Sequence, residues 1–257
     1  MERIKDYTVI DLEMTGLAAK NNKIIEIGAV QIRDGKKTAT YGMLVNPHCN
    51  IEPIVSELTG ITDEMLKDGM DEDKAVEGLL EFIGSDIIVG HNVSFDYSFI
   101  KQWAVNKKIP LDLYALDTLK MSRGLLPEEQ RKKLEALCEY FDIERIHAHR
   151  ALDDAIETWQ IYEKLADLAV EKKRADLLEP TLLKYKCKRQ TKATYHQVEQ
   201  LKEVRKLYGI TDEIDWNNLT RSEASRKMDR YRMQYRIPSA RQKRAGKTPL
   251  IQRGKKV

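Results

Sequence analysis

The stretch from Lys23 to Asn46 constrains the fold more than any other. Two apolar-rich runs, Lys23 to Arg33 and Thr38 to Asn46, flank the turn Asp34-Gly35. An Asp-Gly pair accepts the positive backbone angles of a tight hairpin, so the two runs are expected to pair as antiparallel strands. A shorter apolar run, Tyr7 to Leu12, precedes them, and three strands therefore open the chain before any helical period begins. Further on the pattern changes. Thr62-Asp-Glu-Met reads as a helix start, and Ala75 to Ile83 as a helix with Ala75, Val76, Leu79, Leu80 and Ile83 on one side. Asp86 to Gly90 reads as a buried strand, Phe95 to Val105 as a helix and Leu113 to Leu119 as a last strand, with helices Leu134 to Phe141 and Ala151 to Leu168 closing the domain. Strand-helix-strand units after an antiparallel start predict an α/β domain built on a mixed five-stranded sheet flanked by helices.

The formal charge of +3 hides a division of the chain. Residues 1–167 carry 20 Lys plus Arg against 31 Asp plus Glu, whereas residues 168–257 carry 24 against 10. An acidic half can gather cations and a basic half can attract phosphates, a pairing suited to nucleic acid. Past Leu168 the run Glu171-Lys-Lys-Arg, then Pro180, then the basic stretch Lys184 to Lys192 read as a connector. Thr194 to Leu207 and Thr220 to Tyr235 read as two further helices, the second opened by the capping box Thr220-x-x-Glu223. Ser239 to Val257 is too basic and too poor in apolar residues to fold alone. The expected organisation is an α/β domain over 1–170, a basic linker over 171–193, a small basic helical module over 194–237 and a tail over 238–257.

With 42% hydrophobic and 33% charged residues the composition is that of a globular protein. No apolar stretch approaches the roughly 18 residues of a membrane span. The opening Met-Glu-Arg-Ile-Lys-Asp lacks the apolar core of a secretory signal, so a cytoplasmic location without membrane contact is expected. Cys49, Cys138 and Cys187 lie far apart, with no Cys-x-x-Cys or Cys/His spacing, and read as free thiols rather than zinc ligands.

Asp11 and Glu13 lie two apart at the end of the first strand, so their side chains share one side of the sheet. Two carboxylates there repel each other unless a cation sits between them, which points to a hard-metal site. Thr15-Gly16 then lets the chain turn and brings backbone donors near whatever the site holds. Asp96 follows the buried strand directly, where it either stabilises a helix start or joins that site. Near residue 150, either His147 or His149 precedes a helix that carries both Asp153 and Asp154. A histidine exchanges a proton near neutral pH, whereas carboxylates on a metal are committed to it. Spacing alone leaves both pairs open.

Three segments carry a family resemblance: Asp11-Leu-Glu13-Met-Thr-Gly-Leu17, His91-Asn-Val-Ser-Phe-Asp96-Tyr-Ser-Phe and His149-Arg-Ala-Leu-Asp-Asp154-Ala. They resemble the three motifs of the DnaQ-like, DEDDh-type 3′-to-5′ exonucleases. The resemblance continues through Lys23-Ile-Ile-Glu-Ile-Gly-Ala-Val and Leu58-Thr-Gly-Ile-Thr-Asp-Glu-Met, and covers residues 5 to 168. It implies a ribonuclease-H-like fold. It implies that Asp11, Glu13, Asp96 and Asp154 hold two divalent metal ions, Mg²⁺ with Mn²⁺ as a substitute, and that His149 takes the proton from an attacking water. His147 and Asp153 are left unassigned. Met14 stands where the family often has threonine, while Thr15 and Gly16 are retained. The implied reaction releases nucleoside 5′-monophosphates from single-stranded 3′ ends, DNA before RNA. Thr15, Leu17, Thr59, Ile61, His91 and Phe95 resemble positions where the family grips the terminal nucleotide.

In the basic C-terminal part, Ala224, Met228, Tyr231 and Tyr235 form one stripe, expected to pack against the helix Thr194 to Leu207. Arg226, Lys227 and Arg230 lie mostly elsewhere and are candidates for phosphate contact. No clamp-binding segment of the Gln-x-x-Leu-x-Phe type follows the motifs. That favours a stand-alone nuclease over a dedicated proofreading subunit, with a DNA polymerase or repair assembly as the partner to consider. A non-catalytic binder on a nuclease fold would lack a metal ligand, yet all five family positions are filled.

Overall fold

The computed structural model describes residues 3–145 and 149–238. The chain divides into two compact units, Met1–Arg189 and Gln190–Val257. In the first, strands β1 (Tyr7–Met14), β2 (Ile24–Arg33) and β3 (Lys36–Asn46) form the expected antiparallel ribbon, with β2 in the middle. Two short helices, α1 (Pro53–Thr59) and α2 (Asp63–Lys67), lead to the two-residue strand β4 (Met70–Asp71) and helix α3 (Glu72–Ile83). Strand β5 (Ile88–Gly90) runs parallel to β1, helix α4 (Ser94–Lys107) follows, and β6 (Tyr114–Asp117) runs parallel to β5. Helices α5 (Thr118–Leu125), α6 (Leu134–Phe141) and α7 (Ala151–Glu171) precede β7 (Thr181–Leu182), which pairs antiparallel with β6.

The sheet thus has seven strands in the order β4-β3-β2-β1-β5-β6-β7, the five expected ones extended at each edge by a two-residue strand. Local capping explains where the elements differ from expectation. The strand expected to reach Leu119 stops at Asp117, whose carboxylate accepts from the Leu119 and Lys120 amides and so starts α5. Helix α1 has too few residues to show a period, but Pro53 at its start and Gly60 with φ 69° after its end define it. The stretch 171–193 does not behave as a linker throughout. Leu177, Leu178 and Leu183 are buried and β7 joins the sheet, so its residues up to Arg189 belong to the first unit. Three leucines dispersed among charges give no periodic signal.

The strand alternation sorts the core into two layers. Ile10, Leu12 and Met14 of β1 pack with Val76 and Leu79 of α3 and with Ile100 and Trp103 of α4. Tyr7 and Val9, from the alternate positions, pack with Val30 and Ile32 of β2 and with Ile161, Tyr162 and Leu165 of α7. The Tyr7 and Tyr162 rings meet edge to face at 4.8 Å. Asp11 and Glu13 continue the Tyr7–Val9 row, and the register sets Gly28 opposite Asp11 and Glu26 opposite Glu13. The acidic end of β1 therefore lies on the face that α7 covers.

In the second unit, α8 (Tyr195–Tyr208) and α9 (Arg221–Gln234) each begin with a complete capping box, on Thr194 and Thr220. A bridge between Lys192 and Thr220 ties their starts together. The stripe Ala224, Met228 and Tyr231 is buried against Leu201 and Leu219, with Tyr235 partly buried beside it. The expected tail residues Ser239 to Val257 lie outside the described residues, as does His147.

Candidate active site

The four acidic residues reach the site on three elements. Asp11 and Glu13 come from the end of β1, which bends at an irregularity between Glu13 and Met14. Asp96 sits in the first turn of α4, is 4% exposed, and accepts a 3.0 Å hydrogen bond from the Leu12 amide. That bond ties Asp96 to the strand that carries the other two acids; a plain helix-start role would not need it. Asp154 occupies the first turn of α7 and is 5% exposed. His149 stands just before that helix with φ 60°, and Glu13, His149 and Asp154 each bring a ligand atom within 4.8 Å of the others. Asp153, its neighbour on the helix, is not part of that group.

Electrostatics mark the cluster as short of positive charge. Burial, then Asp96, Asp154, Glu13 and Glu26, hold the Asp11 carboxyl well above the usual carboxylate range. Burial, then Asp154, Glu26 and Asp96, push Glu13 up to about 8 against the pull of Arg150. Burial pushes Asp96 up to about 7, although the amides of Asp96 and Leu12 donate to it. Asp154 is also raised by burial, with Arg145 and His149 acting in the opposite direction. Carboxylates that raise one another in this way are relieved by a divalent cation, and an oxygen-rich donor set with one imidazole nearby fits such an ion.

Residues 8–162 match the family model described as Exonuclease, of the RNase T type. The chain belongs to the DnaQ-like exonuclease family. It is 34% identical over 218 residues to the DNA polymerase III PolC-type protein of Caldanaerobacter subterraneus subsp. tengcongensis, covering 83% of this chain and 15% of that one. With the PolC-type protein of Bacillus subtilis it shares 38% identity over 169 residues, 65% of this chain and 12% of the relative. The chain thus spans about 15% or less of these relatives. Among solved structures it resembles exonuclease X in complex with 5′ overhanging duplex DNA, at 26% identity and TM-score 0.51, over 67% of this chain and 99% of that one. The nuclease domain of 3′hExo, a DEDDh family member bound to rAMP, shares the fold at 16% identity and TM-score 0.53, over 69% and 96% of the two chains. The ribonuclease-H-like architecture implied by the motifs is the observed one.

The residues of this exonuclease chain expected to grip a nucleotide divide into two groups. Leu17 is 85% exposed beyond the turn at Thr15-Gly16, free of the core. Phe95 packs on the core and meets Phe99 edge to face at 5.6 Å. His91 Nδ1 lies 2.9 Å from Thr118 Oγ1, and burial lowers its pKa. The Thr15 hydroxyl accepts from the Lys23 amide at 3.0 Å and so closes the turn after β1. Thr59 and Ile61 are held within the fold. Thr59 Oγ1 donates to Val55 O and accepts from the Ile61 amide, while Ile61 is fully buried among Ile25, Ile51 and Leu66. Their side chains are occupied by packing and turn formation.

Of the basic candidates on α9, Lys227 Nζ is paired with Asp212 Oδ2 at 3.0 Å, and Arg205 Nε and Tyr231 also bind Asp212. Lys227 is therefore part of a polar cluster within the second unit, which competes with phosphate contact. Arg226 and Arg230 lie on the same helix.

Four residues of consequence escaped sequence reasoning. Glu26 binds Arg150 and the Ala151 amide, and Arg145 bridges Asp154 and Glu157 at 2.7 and 2.8 Å. A lone glutamate between isoleucines of a buried strand was a usable signal for Glu26. No spacing links Arg145 to Glu157. Cys138, whose thiol lies 3.6 Å from Glu157, is pushed up to about 12 by burial and is an inert free thiol.

Proposed function

We propose that this chain is a two-metal 3′-to-5′ exonuclease that releases nucleoside 5′-monophosphates from single-stranded 3′ ends, with DNA as the favoured substrate. The observation that carries the proposal is the convergence of Asp11, Glu13, Asp96 and Asp154, from three separate elements, beside His149. Two divalent ions, with Mg²⁺ the natural choice and Mn²⁺ a substitute, would supply Lewis acidity and balance the charge of a phosphodiester. Asp11, Glu13, Asp96 and Asp154 would hold them, and the Leu12 amide keeps Asp96 oriented for that role. His149 accepts the proton of the attacking water, since an imidazole can take a proton at neutral pH beside carboxylates that are committed elsewhere. Leu17, exposed beside these groups in sequence, is the candidate to contact the terminal base.

The preference for DNA is supported by relatives named as DNA polymerase III PolC-type and by a structural neighbour in complex with duplex DNA. A replication or repair polymerase is the corresponding partner. RNA trimming is the second reading, favoured by a neighbour that recognises a histone mRNA stem-loop. The filled set of acids argues against a non-catalytic scaffold. No helix among the described residues is long and apolar enough to cross a membrane. The test is digestion of matched single-stranded DNA and RNA oligonucleotides with Mg²⁺, beside an Asp154→Ala control. Faster release of 5′-monophosphates from DNA is expected. Faster release from RNA would move the assignment to RNA trimming, and no metal-dependent release from either would overturn the enzyme.

A further inference from the structure

We infer that Glu26 is a positioning residue that fixes His149 by clamping Arg150 and the first turn of α7, an inference that rests on the nuclease reading of the site. Glu26 lies in β2, between β1 and β3 in the sheet, and is 5% exposed. Its Oε1 accepts from Arg150 Nη2 at 2.7 Å and from Arg150 Nε at 3.0 Å, and its Oε2 accepts from the Ala151 amide at 2.9 Å. Both residues after His149 are thus held to β2 by charge-assisted bonds spanning more than 120 positions of sequence.

His149 needs such an anchor. Its φ of 60° is a left-handed conformation that costs a non-glycine residue roughly 1 kcal/mol or more and persists only where the surroundings over-determine it. Gly28, two residues along β2 on the same face, supplies the second constraint. A Cβ there would lie 2.1 Å from the Ala151 carbonyl carbon, so strand and helix start meet backbone to backbone. The helix start cannot approach further, and the Glu26 bonds stop it from withdrawing. Between them the imidazole is left facing Glu13 and Asp154. Capping of α7 alone would require only the Ala151 bond. The three bonds from Arg150, which itself makes no side-chain cap, serve the residue next to the histidine.

The test is a double-mutant cycle on the full chain, with kcat read at saturating Mn²⁺ and substrate, together with histidine ring NMR of the metal-free protein. Glu26→Gln should lower kcat by about 10- to 100-fold in the wild-type background, the scale of a misplaced catalytic group. In a His149→Ala background it should cost less than about 2-fold, because the group it positions is gone. Glu26→Asp, which keeps the charge but reaches less far, should fall between and serves if the glutamine variant fails to fold. The His149 ring signal, assigned by its loss in His149→Ala, should move in Glu26→Gln while those of His48, His91 and His196 stay. An equal loss in both backgrounds would make Glu26 merely structural and overturn the inference. An unmoved His149 signal would overturn it even in an inactive chain. A shifted signal in a wild-type chain without nuclease activity would instead remove the nuclease reading and leave the clamp standing.

Discussion

Glu13 and Glu26 stand directly opposite each other across the β1–β2 pair, and the Arg150 guanidinium binds Glu26. Facing like charges destabilise a strand pair unless each is matched. Arg150 matches one of them. Glu13 is left with its pKa pushed up to about 8, first by burial and then by Asp154 and Glu26, a charge imbalance that a divalent cation would relieve.

The metal-free protein should lose stability as pH rises. Glu13 at about 8 and Asp96 at about 7 stay protonated in the folded chain well above the unfolded carboxylate value of about 4. Between about pH 4.5 and 8 the folded state therefore binds protons that the unfolded state has released, and stability falls across that window. Thermal melts in chelator should show Tm declining from pH ~5.5 to ~8, and added Mg²⁺ or Mn²⁺ should raise it most at the upper end. A Tm that climbs with pH in chelator would contradict the acidic cluster.

Asp11→Asn should separate stability from activity. It removes a carboxyl that burial and Asp96, Asp154, Glu13 and Glu26 hold well above the usual carboxylate range, so that ionising it costs stability. At alkaline pH, where the wild-type cluster is forced to ionise, the metal-free variant should melt several degrees higher than wild type, while its nuclease rate falls by roughly 10²-fold or more. A variant that melts lower, or that keeps its rate, would remove Asp11 from the centre of the site.

Gly28→Ala should damage both fold and rate. Its Cβ would meet the Ala151 carbonyl carbon at 2.1 Å and the Leu152 amide at 2.3 Å, and backbone cannot swing aside as a side chain can. The cost should be about 1–3 kcal/mol or more in urea unfolding. Gly42→Ala is the control, because the atoms nearest its Cβ would belong to the Leu152 side chain, the first at 3.1 Å. It should cost less than about 1 kcal/mol. Equal effects would mean that the β2–α7 contact is not tight.

Arg145→Met should destabilise through the acids it leaves behind. The side chains of Asp154 and Glu157 are 7% and 4% exposed, and Arg145 bridges them. Breaking a buried pair from one side costs about 3–5 kcal/mol. Burial already pushes Glu157 up to about 7, so the loss should be larger at pH ~8 than at pH ~5.5, where Glu157 can protonate. Arg145→Met combined with Glu157→Gln should recover part of it in denaturant melts; no recovery would assign Arg145 a different partner.

Much of this architecture was legible along the chain because the relevant patterns are local. Asp34-Gly35 encodes the β2–β3 hairpin through its backbone angles, and the two-residue strand period puts Asp11 and Glu13 on one face. The Thr62 and Thr220 caps start their helices as their side chains dictate. What the chain by itself determined is therefore the opening three-stranded ribbon, the acidic pair at its end and the three motifs of a DnaQ-like exonuclease. Only the tertiary structure decided which residues hold that site in shape: Glu26 against Arg150 and Ala151, Gly28 beneath the start of α7, and Arg145 between Asp154 and Glu157. It also showed what the Thr59 and Ile61 side chains touch within the fold and that residues up to Arg189 complete the first unit. The physical reason is one of docking. A turn, a cap or a strand period is written in neighbouring residues, whereas the Glu26–Arg150 pair exists only once segments more than a hundred residues apart have met, and the Arg145 bridge, 9 and 12 positions from its acids, follows no helix or strand period.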